Sequence, residues 1–440
     1  MRAENAIWIR REPRSANLAF ECAKVVLLPL PVLIASTSVL FLTTLAAMLL
    51  RHPDVEFYAI DRVTFGLLLA SVAARVVLYR QKLSIVTRVS IPMLALSVLA
   101  LASVLGQPFD HETWSLLASK FLVPFTLFHV AQLVFTQEKE FRYFETFAVI
   151  VLAYLSFTSI AFLCGAQWLI FPRFILDESL GHHADRARGP LLQAVANGVS
   201  LNLLALLVLH AYRRNVSRRL RTFTILASVP VAIIATMTRA VWFSFAGSIA
   251  ALIFLSHNKM RRRACVALIV VTILGVGVVT SSTDCGAALN SRLSERGPLD
   301  YREAVYAGSW QMFLVHPLMG WGFHAMPAAL PRFVSGYEEK LLYPHNTYLE
   351  ILVEQGLLGL AFYLWLMWEL FRLRLGTIPQ AEEHSFLDQN FHRLWPILLG
   401  VYWANAVAVV MSYQFVNGLM FTIAGMLAAQ RNRATGPELC

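Results

Sequence analysis

The chain has 440 residues, of which 57% are hydrophobic, 12% are aromatic and only 15% are charged, and its mean hydropathy is +0.59. Soluble globular proteins carry about 25% charged residues, so this composition excludes an ordinary soluble enzyme, a disordered chain and a collagen-like chain. The net charge of +10 would suggest a nucleic-acid partner in a soluble protein. In a membrane protein it is instead a topology signal, and no nucleic-acid partner is expected.

The apolar pattern predicts an all-α polytopic membrane protein with a single transmembrane domain over residues 1–440. A spanning helix needs about 20 mostly apolar residues. The apolar stretch that follows the basic N-terminus is longer than the core of a cleavable signal, which favours a retained first span. We predict about twelve spans, the last being the shortest, at residues 25–50, 57–79, 89–106, 114–136, 144–171, 190–212, 222–237, 239–256, 263–280, 347–371, 395–415 and 417–430.

Lys and Arg predict the orientation of these spans, because cytoplasmic loops carry an excess of both. With the N-terminus in the cytoplasm, 24 of the 37 Lys and Arg residues fall on the cytoplasmic side. Three others, Arg62, Arg75 and Lys120, fall within spans, where we expect ion pairing or snorkelling. Both termini are therefore predicted to be cytoplasmic. Residues 281–346 are predicted to form a helical periplasmic segment between the ninth and tenth spans.

The ten remaining cations lie on the opposite face, where positive charge is disfavoured. Nine of them fall in three places: residues 173–188, the turn at Arg239, and residues 292–340. Long loops translocate regardless of charge, which would account for the third group but not for Arg239. Arg239 lies between two short spans with almost no loop, and a guanidinium at such a place usually marks a ligand. The pattern favours an anionic ligand on this face.

Three helices are predicted to begin on the same face. Thr238 is a candidate N-cap for the helix that begins at Arg239. Gly189-Pro190 would place a proline in the first turn after Arg188. Thr347 and Glu350 have the spacing of a capping box. Helix N-termini together with arginines favour phosphate binding, and a lipid-linked diphosphate is the natural candidate. An anion transporter would also need such a pocket.

His345 directly precedes the third of these helices and is the candidate catalytic base. A neutral imidazole is suited to deprotonate an acceptor hydroxyl while arginines stabilise a departing diphosphate. The alternative is that a lone loop histidine is solvated or caps the helix. We predict no metal site, because His182 and His183 lack a third ligand at a suitable spacing and the five cysteines share no ligand spacing.

The chain contains the run His345-Asn346-Thr347-Tyr348-Leu349-Glu350, followed by Glu354-Gln355-Gly356-Leu357-Leu358-Gly359. This run resembles the signature of the O-antigen ligase and polymerase superfamily. The upstream stretch 302–310 and the run His316-Pro317-Leu318-Met319-Gly320-Trp321-Gly322-Phe323 also resemble family segments. So do Thr238-Arg239 and Arg188-Gly189-Pro190. The chain departs from the family after Pro190, where Asn197 alone stands in for an Asn-Pro-Asn run.

The resemblance implies a GT-C-like glycosyltransferase of the bacterial inner membrane with its active site facing the periplasm. It implies an O-antigen ligase that moves a glycan from undecaprenyl diphosphate to a sugar hydroxyl of the lipid A core, with inversion and without a metal or cofactor. Membrane lipids would surround it. By position, His345 is the expected base and Arg239 a catalytic residue that also binds the diphosphate. Arg188, Arg302 and Asn346 are the further expected substrate-binding residues.

Other activities remain open at the level of the sequence. O-antigen polymerases and protein O-oligosaccharyltransferases share these motifs and differ in their acceptor. The Arg-rich segment before His345 suits a phosphorylated lipid acceptor and favours the ligase. A transporter or flippase for an anionic lipid-linked substrate is the alternative of a different class, although no internal repeat is evident. Glu350 and Glu354 either contact substrate or, as we favour, cap and pack their helix.

Overall fold

A computed structural model describes the structured part of the chain, and every secondary-structure element in that part is helical. The described residues are 37–51, 59–79, 85–181, 183–214, 219–255, the single positions 263, 266 and 270, 297–334, 342–375, 385–410 and 412–435. The predicted all-α class is confirmed for these residues. The first part of the first predicted span, most of the ninth, and residues 281–296 lie outside them.

The α-helices of the described residues overlap predicted spans, except for the two between residues 297 and 329, which lie in the predicted periplasmic segment. They are α1 Thr37–Leu49, α2 Ile60–Tyr79, α3 Ser90–Leu105, α4 His111–Val134, α5 Glu138–Leu163, α6 Ala194–Arg214, α7 Arg219–Ala235, α8 Arg239–Leu255, α9 Gly297–Val315, α10 Met326–Ala329, α11 Thr347–Arg372, α12 Gln389–Ala406 and α13 Gln414–Thr435. Four helical stretches are long and apolar enough to cross a membrane: His111–Val134, Glu138–Leu163, Ala194–Tyr212 and Thr347–Leu375. Four shorter apolar helices accompany them in the described residues, and the full count of twelve spans stays a prediction.

The predicted boundaries at the connection between α5 and α6 are wrong, and α12 also ends at Ala406 rather than at residue 415. The span predicted to end at residue 171 ends at Leu163, because Gly165 turns the chain with a φ of 69°. Two 3-10 turns, Gln167–Leu169 and Arg173–Leu176, follow instead. Pro190 lies in a third 3-10 turn, Gly189–Leu191, and α6 begins only at Ala194. The loop that carries Arg186 and Arg188 is therefore longer than the sequence indicated.

The core is centred on α13, whose residues from Phe415 to Ala429 are buried. α13 packs closely along α4, and glycine makes that approach possible. A Cβ on Gly425 would lie 2.2 Å from the carbonyl oxygen of Phe128 in α4. The helix predicted to be the shortest and most marginal span is thus the buried axis of the bundle, and its moderate hydropathy is consistent with contact to protein rather than lipid.

α11 is broken in its middle at Gly356, where φ is 66° and ψ is −165°. The peptide groups that the break releases are paired with the turn after α9. Leu357 donates its N–H to the carbonyl oxygen of Pro317 at 2.8 Å, and Leu358 donates to that of Leu318 at 3.3 Å. In the opposite direction, the N–H groups of Trp321 and Gly322 donate to the carbonyl oxygens of Val353 and Glu354, each at 2.9 Å. The two glycine-containing runs of the sequence therefore interlock through their backbones.

Only glycine fits at this junction. Gly320 has a φ of 72°, and a Cβ there would lie 2.4 Å from the carbonyl carbon and oxygen of Glu354. A Cβ on Gly356 would lie 2.3 Å from the carbonyl oxygen of Leu318. Both positions combine a left-handed backbone with direct contact to a neighbouring main chain, so neither tolerates a side chain.

We expect Gly320→Ala to destabilise the protein by about 1–3 kcal/mol or more, since it adds backbone strain to a main-chain clash. Thermal unfolding of the purified protein in detergent measures the effect. Gly400→Ala is the matched control, because a Cβ there meets no atom within 4 Å. Equal thermal stability of the two variants would contradict the interlocked junction.

Candidate functional site

A cavity of about 580 Å³ lies at the end of the bundle where α6, α8 and α11 begin. Its volume is in the range of small-molecule binding sites. The described residues that line it are His183, Arg186, Gln193, Val195, Met237, Thr238, Arg239, Ala240, Phe243, Tyr301, Arg302, His345, Ala408 and Val409. The cavity thus brings together Arg239, Arg302 and His345, which come from three separate parts of the sequence.

The lining is strongly cationic. It contains three guanidinium groups and two imidazoles, and none of the described lining residues is a carboxylate. Asp185 lies beside the cavity, with its Oδ2 at 3.6 Å from Nε of Arg186, but its side chain is 67% exposed. Arginines concentrated around one cavity are suited to an anionic ligand with several oxygen atoms.

Arg239 is held at the first position of α8 by a tight turn. Residues 236–238 connect α7 to α8, and Met237 takes a left-handed φ of 48°. Thr238 immediately precedes the helix, as predicted, but its hydroxyl donates to the carbonyl oxygen of Thr236 at 2.9 Å. Trp242 donates its indole N–H back to Ile233 at 3.0 Å, which ties the first turn of α8 to the end of α7. Arg239 therefore stands at the cavity next to the N–H groups of a helix start.

The first turns of α9 supply Tyr301 and Arg302. The turn between α12 and α13 anchors this helix through its carbonyl oxygens: Arg302 donates to Ala408 at 3.3 Å, and the Tyr306 hydroxyl donates to Val407 at 3.3 Å. Thr347, the first residue of α11, donates to Val409 in the same turn at 2.9 Å. Three consecutive carbonyl groups thus fix α9 and α11 relative to each other.

His345 lies at the cavity in a constrained conformation, with a φ of 46°. Its imidazole faces the ring of Tyr301 with the ring centroids 6.1 Å apart. The Tyr301 hydroxyl in turn bonds to the backbone N–H and carbonyl of Tyr343, each at 3.4 Å. The segment before α11 is therefore secured on both sides of the histidine.

Asn346 is the N-cap of α11 rather than a lining residue of the cavity. Its side-chain oxygen accepts from the N–H groups of Tyr348 and Leu349 at 3.0 and 3.2 Å. The capping box predicted from Thr347 and Glu350 is wrong, because the Thr347 hydroxyl bonds to the turn after α12 and Glu350 is engaged elsewhere. Asn346 fixes the point at which the helix begins, and thereby the position of the residue before it.

Backbone strain concentrates around the cavity. Five non-glycine residues of the described chain have a left-handed φ, and three of them, His183, Met237 and His345, line the cavity. Such conformations cost on the order of 1–3 kcal/mol each and persist where the surrounding structure enforces them. Their clustering marks this end of the bundle as a candidate active site independently of its charge.

Arg188 does not line the cavity. It is 1% exposed, and its guanidinium donates to the carbonyl oxygens of Ile175, Asp177 and Leu180 in the loop after α5. Burial lowers the pKa of Arg188 from its ordinary value. Within the structure this arginine therefore holds the loop together, and Arg186, two residues earlier, is the one that lines the cavity.

Asn197 also supports this loop. Its Nδ2 donates to the Ala187 carbonyl at 2.8 Å and to the Ser159 hydroxyl at 3.0 Å. Gly189 has a φ of 58°, and a Cβ there would lie 2.7 Å from the Asn197 side-chain oxygen. The Arg-Gly-Pro run is thus packed directly against the single asparagine that remains of the family's pattern.

One charged pair lies within the bundle behind the cavity. Lys120 Nζ is 2.7 Å from Glu350 Oε1, and the two side chains are only 10% and 11% exposed. The ammonium also lies 5.4 Å from the ring centroid of Phe323. A π-helical segment of α4, Ala118–Leu122, carries the lysine. The expected ion pairing of Lys120 is confirmed, and the pair ties α4 to the first turn of α11.

Four polar lining residues were not among the predicted site residues: Arg186, His183, Gln193 and Tyr301. Arg186 was one of the cations on the disfavoured face and preceded a predicted helix start together with Arg188, and His183 was considered only as a metal ligand. The other three come from loops and helix starts whose side-chain directions no periodic pattern specifies. Among the described residues, no cluster of three or more His, Cys, Asp or Glu side chains could hold a metal ion.

A family model described as O-Antigen ligase matches residues 222–364. The matched segment contains Arg239, Arg302, His345 and the interlocked turn after α9. The resemblance to the O-antigen ligase superfamily is thereby confirmed, and the match supports ligase- or polymerase-type function. Together with the apolar helices, the match indicates a bacterial membrane protein. A comparison with curated proteins finds no match to this chain.

We expect Lys120→Met to destabilise the protein by about 3–5 kcal/mol, because it leaves a buried carboxylate without its partner. The double variant Lys120→Met with Glu350→Leu should regain most of that stability. Denaturant unfolding in detergent micelles measures both. Arg142→Met serves as control, since Arg142 forms a 3.9 Å pair with Glu138 at 73% and 39% exposure and should contribute less than about 1 kcal/mol. A loss at Lys120 no larger than at Arg142 would contradict the pairing as a structural tie.

Proposed function

We propose that this protein is an O-antigen ligase: an inverting, metal-independent glycosyltransferase of the bacterial inner membrane. It moves a glycan from undecaprenyl diphosphate to a sugar hydroxyl of the lipid A core in the periplasm. The observation that carries the proposal is one cavity that three arginines and His345 line and whose described lining residues include no acidic side chain. The family match over residues 222–364, which include Arg239, Arg302 and His345 but not Arg186, supports it.

The arginines suit the leaving group. Arg186, Arg239 and Arg302 approach the cavity from the loop before α6, the start of α8 and the start of α9. A diphosphate that separates from the sugar gains negative charge on its terminal oxygens. Preorganised guanidinium groups and the N–H groups at the start of α8 stabilise that charge as it develops, which lowers the barrier to bond cleavage.

His345 suits the acceptor. In the proposed step, the acceptor hydroxyl oxygen attacks the anomeric carbon while the bond from that carbon to the diphosphate oxygen breaks. The hydroxyl proton passes to the imidazole of His345, and undecaprenyl diphosphate leaves. An imidazole exchanges protons near neutral pH and is therefore the appropriate base in this cavity.

Inversion follows from direct displacement. Retaining transfer needs a nucleophile that forms a covalent glycosyl intermediate, usually a carboxylate. The described residues that line the cavity include no carboxylate. With the acceptor as the only attacking group, the new bond forms on the side opposite to the departing diphosphate.

Arg188 and Asn346 have supporting roles in this proposal. Arg188 shapes the loop that presents Arg186, through its three carbonyl contacts. Asn346 fixes the start of α11 and hence the backbone of His345. The ligase is favoured over the polymerase because the arginines on this face also suit a phosphorylated lipid acceptor, and the test below discriminates between the two.

The deciding experiment supplies the purified protein with undecaprenyl-diphosphate-linked glycan and, in parallel, lipid A core, no acceptor, or a protein acceptor. We expect glycan on the lipid A core, with no loss of activity in the presence of a metal chelator. Longer lipid-linked glycan without added acceptor would instead establish a polymerase, and glycosylated protein an oligosaccharyltransferase. Binding of the donor without any transfer would favour a transporter.

The variants His345→Ala and Arg239→Ala test the assigned roles in the same assay. Both should lower transfer by at least about 100-fold, the usual effect of losing a general base or a transition-state donor. Both proteins should insert and purify as the wild type does, because the two residues lie at the cavity and outside the bundle core. Wild-type transfer by His345→Ala would exclude it as the base.

Substitutions of the two loop arginines, Arg186 and Arg188, are expected to impair different properties of the protein. Arg186→Gln should weaken binding of the diphosphate donor about tenfold or more while leaving the thermal midpoint of unfolding unchanged, since its side chain faces the cavity. Arg188→Gln should lower thermal stability, because three carbonyl groups lose their buried donor. Donor titration and thermal unfolding on both variants measure the two effects. Identical behaviour of the variants would contradict the assignment.

A further inference from the structure

Tyr301 contacts the candidate base from the first turns of α9. Both residues line the cavity, and their ring centroids lie 6.1 Å apart with the ring planes inclined by 54°. Tilted aromatic pairs at this separation attract each other. The transfer step described above uses His345 but assigns no part to Tyr301.

His345 requires groups that hold it in place. Its left-handed φ of 46° is unfavourable for a residue with a side chain and persists only where neighbouring groups enforce it. A catalytic base is also commonly oriented by a further group, which in many enzymes is a carboxylate. The described residues that line this cavity include no carboxylate, whereas the ring of Tyr301 is in contact with the imidazole.

The hydroxyl of Tyr301 holds the backbone before the histidine. It accepts a hydrogen bond from the N–H of Tyr343 and donates one to the carbonyl oxygen of the same residue, each at 3.4 Å. Tyr343 precedes His345 by two residues, and Asn346 caps α11 directly after it. The strained residue is therefore fixed between the Tyr301 hydroxyl on one side and a helix cap on the other.

Tyr301 is itself well anchored. Its ring packs against a small apolar cluster that includes Val305 and Leu342, which are 0% and 1% exposed. The neighbouring Arg302 donates to the carbonyl oxygen of Ala408 at 3.3 Å. The protein, rather than a bound ligand, thus sets the position of the tyrosine ring.

We propose that Tyr301 is a positioning residue for His345. Its hydroxyl sets the backbone of the histidine, and its ring sets the orientation of the imidazole towards the acceptor hydroxyl. This inference rests on the proposed function, in which His345 is the base. Because Tyr301 acts through the imidazole, its loss slows the transfer step and leaves donor binding by the arginines intact.

The first test separates kcat from KM in the full-length protein. Tyr301→Leu should lower kcat about tenfold or more while the KM for the donor stays the same, since a small displacement of a catalytic group slows the chemical step. Tyr301→Phe keeps the ring and should recover most of the lost kcat. Equal loss in the Leu and Phe variants, or a change in KM alone, would overturn the inference.

Tyr306→Phe is the matched control. It removes a hydroxyl that donates to the Val407 carbonyl oxygen at 3.3 Å from the same helix, and Tyr306 is not among the described residues that line the cavity. Its kcat should stay close to that of the wild type. A loss as large as that of Tyr301→Leu would mean that any weakened contact of α9 slows transfer, and would overturn the inference.

A double-mutant cycle distinguishes positioning from general support of the fold. In a His345→Ala protein, Tyr301→Leu should cause no further fall in kcat, because the imidazole through which it acts is gone. A structural role would lower transfer by the same factor with and without His345. That additive result would overturn the inference.

A third test needs no turnover. Diethyl pyrocarbonate modifies accessible neutral imidazoles, and mass spectrometry of the peptide that contains His345 gives its rate of modification. Tyr301→Leu should raise this rate about threefold, because the ring no longer contacts the imidazole, whereas Tyr306→Phe should not change it. An unchanged rate in Tyr301→Leu would overturn the inference. Wild-type transfer by His345→Ala, with the faster modification present in Tyr301→Leu, would instead overturn His345 as the base and leave its contact with Tyr301 intact.

Discussion

The interruption of α11 is the constraint on which the site depends. A helix that spans a membrane cannot be opened without new partners for its peptide groups. Here the backbone of the turn after α9 provides them, with two hydrogen bonds in each direction. Because this turn must lie against Gly356, α9 is forced to run beside the first half of α11. That course places Tyr301 and Arg302 next to His345. The break at Gly356 therefore determines which side chains meet in the cavity.

The same arrangement explains why two separate glycine runs are needed. Gly320 and Gly356 are the points where two main chains approach too closely for any side chain. Most residues of the run from His345 to Gly359 therefore serve packing. His345 is the one member of this run among the described residues that line the cavity. The ion pair of Lys120 and Glu350 secures the short upper half of α11 that the break would otherwise leave weakly attached.

The cavity itself is built from turns rather than from regular helix surface. Three of its residues hold left-handed backbones, and its cations come from three turns or helix starts. Buried polar contacts keep these turns in place, chief among them Arg188 in the loop before α6 and the carbonyl groups of the turn after α12. Backbone strain and positive charge are thus concentrated at one end of the bundle, whereas the core around α13 is tightly packed. The residues that confer stability are therefore separate from the turns that form the binding cavity.

The sequence by itself determined the helical class, the approximate position of most described helices, and three central residues of the site, Arg239, Arg302 and His345. Apolar periodicity and the placement of Lys and Arg depend on solvent and lipid, which act on each segment separately, so these features can be recognised without the fold. Only the tertiary structure decided that Arg186 and not Arg188 lines the cavity, that Asn346 rather than Thr347 caps α11, and that the turn after α9 pairs with the break in α11. Those outcomes depend on which side chains of distant segments meet, because a buried arginine and a ligand-facing arginine have the same appearance in a linear sequence.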